Sequence, residues 1–364
     1  MEEHKALIVS LNYSPGHFSH LRALDLLCRD LGLQPTLLLH QGYSAFMNER
    51  NDSNTCFYNG SIPEGKFDFV FIQNPSTENH TFAQRIKLQG EKPLIFYIYH
   101  EPFDGFRNKL KEGMKGFPKA IIAHQFNKKT LSRVDCVLLP SIFAVKTFEA
   151  SDVRHNPKYQ YLPLLFEDET QNYPEPGNSR KRIFFSYIGT VAKAHDFDGY
   201  MKYMEFAYKN KIGTKFLIAT RSKIENLLAS KPLLTEMIST GQLEVIQGRP
   251  LSNEKINECF AKSFCVWNLY RRSTQSGVLP KAFMFGTPVI ASPVGSFPEF
   301  VNNGLNSELI SKADDFEGIT DALGKIEKSF GTYSSEAHKT FLETFYYKAN
   351  TQRLKEIIDD VRGE

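Results

Sequence analysis

Ser273-Thr-Gln-Ser-Gly-Val-Leu-Pro-Lys-Ala-Phe-Met-Phe-Gly-Thr-Pro-Val-Ile-Ala-Ser292, followed by Pro293-Val-Gly-Ser-Phe-Pro-Glu299, decides the architecture of this chain. Small residues open it and an apolar helical stretch follows. The Gly-Thr-Pro at 286–288 turns the chain into a short run that reads as a buried strand, and Gly295 lies in another loop. A loop of Ser and Gly feeding a helix N-terminus leaves backbone N–H groups without intrahelical partners. Those groups and the helix dipole attract an anion, and the anion expected in an α/β protein is a diphosphate. An ordinary, tightly packed loop–helix–strand unit gives the same pattern, because a short Gly-bearing loop is weak evidence by itself.

Outward from this stretch, apolar runs of strand length recur between longer amphipathic stretches. They are Ala6–Leu11, Thr36–Leu39, Phe67–Ile72, Pro93–Tyr99 and Val134–Leu139, then Ile183–Ile188, Lys215–Ala219, Leu243–Ile246, Phe264–Leu269 and Thr287–Ala291. Most are nearly continuous rather than alternating, as parallel strands covered on both faces require. Helical patterns such as Ser19–Leu31 and Ile224–Ile238 lie between them. The alternation occurs twice, which predicts an α/β protein with two doubly wound, Rossmann-like domains. The first is expected over 1–166 and the second over 182–335. A polar segment with two prolines and a glycine, 167–181, is expected to link them. The last stretch, 336–364, is helical, with a break near Asn350, and is expected to cross back to the first domain.

Composition bounds the function. A chain of 364 residues exceeds one ordinary core. The net charge of +3 gives no field suited to nucleic acid. Five cysteines, odd in number and without CxxC spacing, do not suggest a disulfide framework, and Cys28, Cys136 and Cys265, in apolar runs, fit buried thiols in a reducing compartment. The N-terminus lacks the length and flanks of a signal peptide, and no apolar run approaches the roughly 18 residues of a membrane span. A cytoplasmic protein is the expectation. Arg107, Lys109, Lys111, Lys115 and Lys119 alternate with Phe103, Phe106, Leu110, Met114 and Phe117. The stretch 103–119 therefore suits a peripheral contact with the inner face of a membrane. It also reads as a solvated helix face with apolar anchors.

Lys281-Ala-Phe-Met-Phe-Gly-Thr-Pro-Val-Ile-Ala-Ser292 resembles the Glu-Ala-Met-Ala-Ala-Gly-x-Pro-Val-Ile-Ala-Ser of GT-B glycosyltransferases, most of all family 4, the glycosyl transferases group 1. Val294-Gly-Ser-Phe-Pro-Glu299 resembles that family's Val-Gly-Gly-x-Pro-Glu. Weaker likenesses follow in the expected order: Tyr13-Ser-Pro-Gly16, Tyr99-His100, Cys136-Val-Leu-Leu-Pro-Ser141, Tyr187-Ile-Gly-Thr190 and Leu243-Glu-Val-Ile-Gln-Gly248. The resemblance implies two domains facing a cleft, a nucleotide-diphosphate sugar of UDP or GDP type held on the second domain, and an acceptor entering from the first. It implies transfer of a hexose, with retention more expected than inversion, and no cofactor or metal. The acceptor would be a glycan or a lipid-linked glycan, as in surface polysaccharide or lipopolysaccharide synthesis. The chain departs from the family at its paired glutamates, which would fall at Ser273 and Lys281. A lysine cannot accept a hydrogen bond from a ribose hydroxyl. An inactive nucleotide-sugar binding or scaffold protein, or an epimerase, is therefore an alternative.

The candidate residues follow from these placements. Ser276, Gly277, Val278 and Leu279 would present backbone N–H groups to the diphosphate, with Lys281 one turn on reaching a phosphate or lying on a solvated face. Gly189 and Thr190 end the first strand of the second domain. Lys193, Arg221, Lys223 and Arg249 would supply positive charge to the leaving group. Gly248 and Arg249 would lie by the base, and Gly16 would approach the ligand closely or adopt positive φ. His100 would donate to a sugar hydroxyl or carbonyl, and Glu101 or Asp104 could take the acceptor's proton if the reaction inverts. His17 and His20 lie one helical turn apart without an apparent third metal ligand.

Overall fold

A computed structural model describes residues 4–46, 54–88, 92–105, 117–151, 157–179, 181–248 and 251–363. The chain divides into two units, Met1–Glu167 with Thr344–Glu364, and Asp168–Glu343.

The first unit is built on β1 (Lys5–Ser10), β2 (Gln34–Leu39), β3 (Thr55–Phe57), β4 (Phe69–Gln73), β5 (Leu94–Ile98), β6 (Cys136–Leu139) and β7 (Lys158–Tyr161). They form one parallel sheet in the order β3-β2-β1-β4-β5-β6-β7. Along β1, Ala6 and Ile8 enter one apolar cluster while Leu7 and Val9 enter another. Both faces are thus covered, which is why the strand reads as continuous rather than alternating. Each fully buried Leu, Ile or Phe in these layers contributes about 1.5–3 kcal/mol. The closing helix Thr351–Arg362 buries Leu354, Ile357 and Ile358 in the cluster that contains Ala6, Leu24 and Leu37.

The second unit carries β8 (Phe184–Ile188), β9 (Lys215–Thr220), β10 (Leu243–Gln247), β11 (Ser263–Asn268), β12 (Val289–Ala291) and β13 (Glu308–Leu309). They form a parallel sheet ordered β10-β9-β8-β11-β12-β13. Aromatic rings dominate its core: Phe185, Tyr200, Tyr203, Phe216 and Trp267 are fully buried and lie edge-on or tilted to one another. Such pairs add about 0.5–1.5 kcal/mol to area burial.

The two doubly wound α/β units match the sequence expectation. The differences are local. The short strands β3, β7 and β13 are sheet edges; β3 and β7 are at best half-buried, so neither leaves a continuous apolar run to read. The helix expected over Ile224–Ile238 is two, Glu225–Ala229 and Pro232–Ser239. Pro232 opens the second because its ring and missing N–H suit only a first turn. The segment 168–181 packs on the second unit: the Tyr173 ring meets Phe285 edge-on at 5.2 Å and the Gly177 N–H donates to Ser334 Oγ at 2.8 Å. The C-terminal pattern becomes a helix Phe330–Thr340, a π-helical turn Phe341–Phe345, a 3-10 turn Tyr347–Asn350 and the closing helix. At the break, Asn350 Nδ2 donates to the carbonyls of Thr344 and Tyr346, at 2.9 and 3.2 Å.

Candidate functional site

A doubly wound sheet binds ligands beyond the carboxyl ends of its strands, where the strand order reverses. In the second unit that point lies between β8 and β11. The loops leaving these two strands are fused there. The Arg271 N–H donates to the Ala194 carbonyl at 2.8 Å, and the His195 ring stacks on Tyr270 at 4.4 Å. The Arg271 guanidinium reaches Asp196 Oδ1 at 2.6 Å, and Asp196, at φ +47, caps the helix Phe197–Lys209. Gly189 has φ +135, and a Cβ there would stand 3.5 Å from Val278 Cγ2. Two neighbouring loops join the same edge. The Val191 N–H donates to Ser222 Oγ at 3.0 Å, and Ser292 Oγ donates to the Tyr270 carbonyl at 2.5 Å. A Cβ on Gly295, at φ +60, would fall 1.5 Å from the Ser273 carbonyl oxygen, so only glycine lets these loops pass.

The structure therefore brings Gly189, Thr190, Lys193, Arg221, Lys223, Ser276, Gly277, Val278 and Leu279 to one sheet edge. Gly277 precedes the helix Val278–Met284, and the Val278 N–H donates to Ser276 Oγ at 3.2 Å. Burial pushes the Tyr270 hydroxyl up to about 12, against a hydrogen bond with Ser276 that lowers it. Arg221 donates to the Leu251 carbonyl at 2.7 Å. Gly248 follows β10, its N–H donating to the Thr220 carbonyl at 3.4 Å, and Arg249 lies outside the described residues.

Lys281 is buried, and its ammonium lies 2.7 Å from Glu169 Oε2, which also accepts from Asn257 Nδ2 at 2.8 Å. Sequence reading missed Glu169 because it lies in a segment with no periodicity. It also missed Asn268, Gln275 and Ser296. Both amide atoms of Asn268 and Gln275, and the Ser296 hydroxyl, are buried without a hydrogen-bond partner among the described residues. Buried polar atoms are rarely left unpaired in proteins.

In the first unit the strand order reverses between β1 and β4. His100, just after β5, is buried, and its ring lies 4.8 Å from His17 and 5.7 Å from His20. Burial holds the His17 and His100 pKa values below the ordinary imidazole range, and for His100 the neighbouring charges of His17 and His20 add to it. The Gln73 amide approaches His100 Nε2 at 3.3 Å, and Asn74 meets His17 Nδ1. Glu101 is exposed and its charge raises the His17 pKa, against the burial that dominates. Asp104 lies in the same loop after β5. Gly16 does not take positive φ, and a Cβ there would meet nothing within 4 Å. The third ring beside His17 and His20, invisible in sequence, is His100.

Among the described residues no group of three or more His, Cys, Asp or Glu could hold a metal ion. No helix among them is long and apolar enough to cross a membrane. Arg107, Lys109, Lys111 and Lys115 of the basic stretch lie outside the described residues, and Lys119 lies in the helix Phe117–Leu131. All five cysteines are free thiols.

Residues 185–328 match the family model described as Glycosyl transferases group 1. No curated protein matches the chain in sequence. Among solved structures, the sucrose-phosphate synthase of Thermosynechococcus elongatus superposes with a TM-score of 0.74 at 12% identity, over 99% of this chain and 100% of its own. HepE from Anabaena, in complex with UDP and glucose, gives 0.70 at 10% identity, over 98% and 100%. The pneumococcal O-GlcNAc transferase GtfA, in complex with UDP and GlcNAc, gives 0.67 at 12% identity, over the whole of both chains. The fold is thus that of GT-B glycosyltransferases, and the match to group 1 falls on the second unit.

Proposed function

We propose that the chain is a glycosyltransferase that moves a hexose from a nucleotide-diphosphate sugar to a glycan or lipid-linked glycan acceptor. The observation that carries this reading is the fused loop edge between β8 and β11, which lies within the residues matching glycosyl transferases group 1. UDP is the first nucleotide to consider, because HepE and GtfA are both described with it.

In this reading the diphosphate lies against the backbone at 276–279, and Lys193, Arg221 and Lys223 answer its charge. As the bond from the anomeric carbon to the diphosphate breaks, its electron pair leaves with the nucleotide, the acceptor oxygen bonds to that carbon from the same face, and its proton passes to the departing phosphate oxygen. Fixed donors and cations stabilise that charge without reorganising. The orphaned polar atoms of Asn268, Gln275 and Ser296 would find partners in the bound donor or its ordered water. Configuration is retained and neither a metal nor an enzymatic base is needed, since the leaving group carries the chemistry. Lys281 is held by Glu169 and does not take the ribose. Glu101 and Asp104 stand by for the inverting case only. A peripheral membrane contact through 103–119 would serve a lipid-linked acceptor.

Incubation with a panel of UDP- and GDP-hexoses and glycan acceptors tests the reading. Release of nucleotide together with a glycosylated product is expected. Tight nucleotide binding without turnover would instead support a binding protein of the same fold, a reading favoured by the absence of acidic residues at Ser273 and Lys281.

A further inference from the structure

The first unit holds an arrangement of which the assignments above use only His100. Its loops at the strand-order reversal carry His17, Asn74 and His100, and the hydrogen bonds there determine which nitrogen of His17 bears the proton. Ser10 Oγ donates to the Asn12 carbonyl at 3.1 Å, so it accepts from the Asn74 amide Nδ2 at 2.9 Å. That leaves Asn74 Oδ1 facing His17 Nδ1, which must carry the hydrogen. In the neutral ring the lone pair is then on His17 Nε2. Asn74 is itself clamped. It sits at φ +72, an uncommon conformation for a residue with a side chain, and Asn79 Nδ2 donates to its carbonyl at 2.8 Å. Backbone strain of this kind persists where the surroundings over-determine it, often at functional sites. Tyr43 completes the frame, with its hydroxyl 3.0 Å from the Ser14 carbonyl and accepting from the Ser14 N–H at 3.0 Å.

A second observation points to a ligand. Gln73 is 1% exposed, and its amide Nε2 lies against His100 Nε2. Its carbonyl Oε1 is buried with no hydrogen-bond partner among the described residues. A neutral imidazole acceptor, a second imidazole and an unpaired amide carbonyl suit a hydroxyl-bearing ligand, not an anion.

We propose that His17 Nε2 accepts a hydrogen bond from a sugar hydroxyl of the acceptor, that His17 thereby selects it, and that Asn74 is its positioning residue. The assignment to the acceptor rests on the glycosyltransferase reading; the hydroxyl site does not. The full chain with labelled histidines, titrated with methyl hexosides and methyl N-acetylhexosaminides, tests it by NMR. Signals assigned through His17→Leu and His100→Gln are expected to shift saturably with at least one glycoside. In His17→Leu, binding of that glycoside should weaken about tenfold, the worth of one hydrogen bond, while UDP binding is unchanged. His17→Gln, whose amide carbonyl can accept in the same place, should stay within about threefold of wild type. If no glycoside moves the His17 signal, or His17→Leu binds as wild type does, the site is wrong, whatever the turnover. Glycoside binding without sugar transfer would sink the glycosyltransferase reading and leave the site standing. Thermal unfolding of each variant separates a lost fold from a lost contact.

Discussion

The two strand-order reversals of this molecule are built from opposite materials. In the second unit the edge between β8 and β11 is made largely of backbone, glycine and cations, with Gly189 and Gly295 at positive φ where loops approach one another. In the first unit the edge between β1 and β4 is made of side chains: three imidazoles, the amides of Gln73 and Asn74, and the hydroxyls of Ser10 and Tyr43. One edge offers N–H groups and positive charge, which suit a diphosphate that gains charge in the reaction. The other offers neutral donors and acceptors, which suit hydroxyls. In the proposed reading, one layered fold used twice would serve two chemistries by changing its loops.

The sharpest way to break the contrast is at the backbone edge. Gly295→Ala forces a Cβ onto the Ser273 carbonyl at a φ that side chains disfavour. We expect a loss of about 4 kcal/mol in unfolding free energy, or a displaced 273–279 loop that no longer binds UDP. Unfolding in denaturant and nucleotide calorimetry separate the two; wild-type values in both would show that the loops do not need this approach.

Next in size is the ion pair of Lys281, on the helix that follows the same loop, with Glu169. Glu169→Ala removes the carboxylate that faces the buried Lys281 ammonium, and should cost about 3 kcal/mol. Glu169→Leu combined with Lys281→Met should recover most of that, because well-packed apolar residues commonly replace a buried pair without penalty. If the double variant still binds UDP, the pair is structural and has no part in holding the donor.

The smallest effect belongs to the imidazole edge and depends on pH. Burial lowers the His17 and His100 pKa values from 6.5. As pH falls through 6.5 the unfolded chain takes up protons that the folded one refuses, so stability should drop from pH 7 towards pH 5. The titratable neighbours of these rings are His20 and Glu101. Unfolding midpoints across that range should fall less steeply for His17→Gln than for wild type; equal slopes would mean that His17 titrates freely in the native state.

How much of this could be read from the sequence follows from the same contrast. The central strands were legible because burial on both faces writes a continuous apolar run. Gly286 to Glu299 was legible because turns and close approaches leave glycine and proline behind. The edge strands Thr55–Phe57 and Lys158–Tyr161 were not, since half-burial leaves no such run. Glu169 was hidden in a stretch without periodicity, although its partner is more than a hundred residues away. His17 and His20 were visible as a pair, but His100 meets them only through strand order, which no local pattern encodes. Asn74 carried no signal at all, because its role lies in a φ value and in hydrogen bonds with Ser10, His17, Tyr43 and Asn79.

The claim that the second unit holds the nucleotide is tested most directly by amide hydrogen exchange of the full chain with and without UDP. Protection should concentrate at 189–195, 220–223 and 273–279, the loops that meet beyond β8, β9 and β11. UDP-dependent protection that misses all three loops would contradict the account.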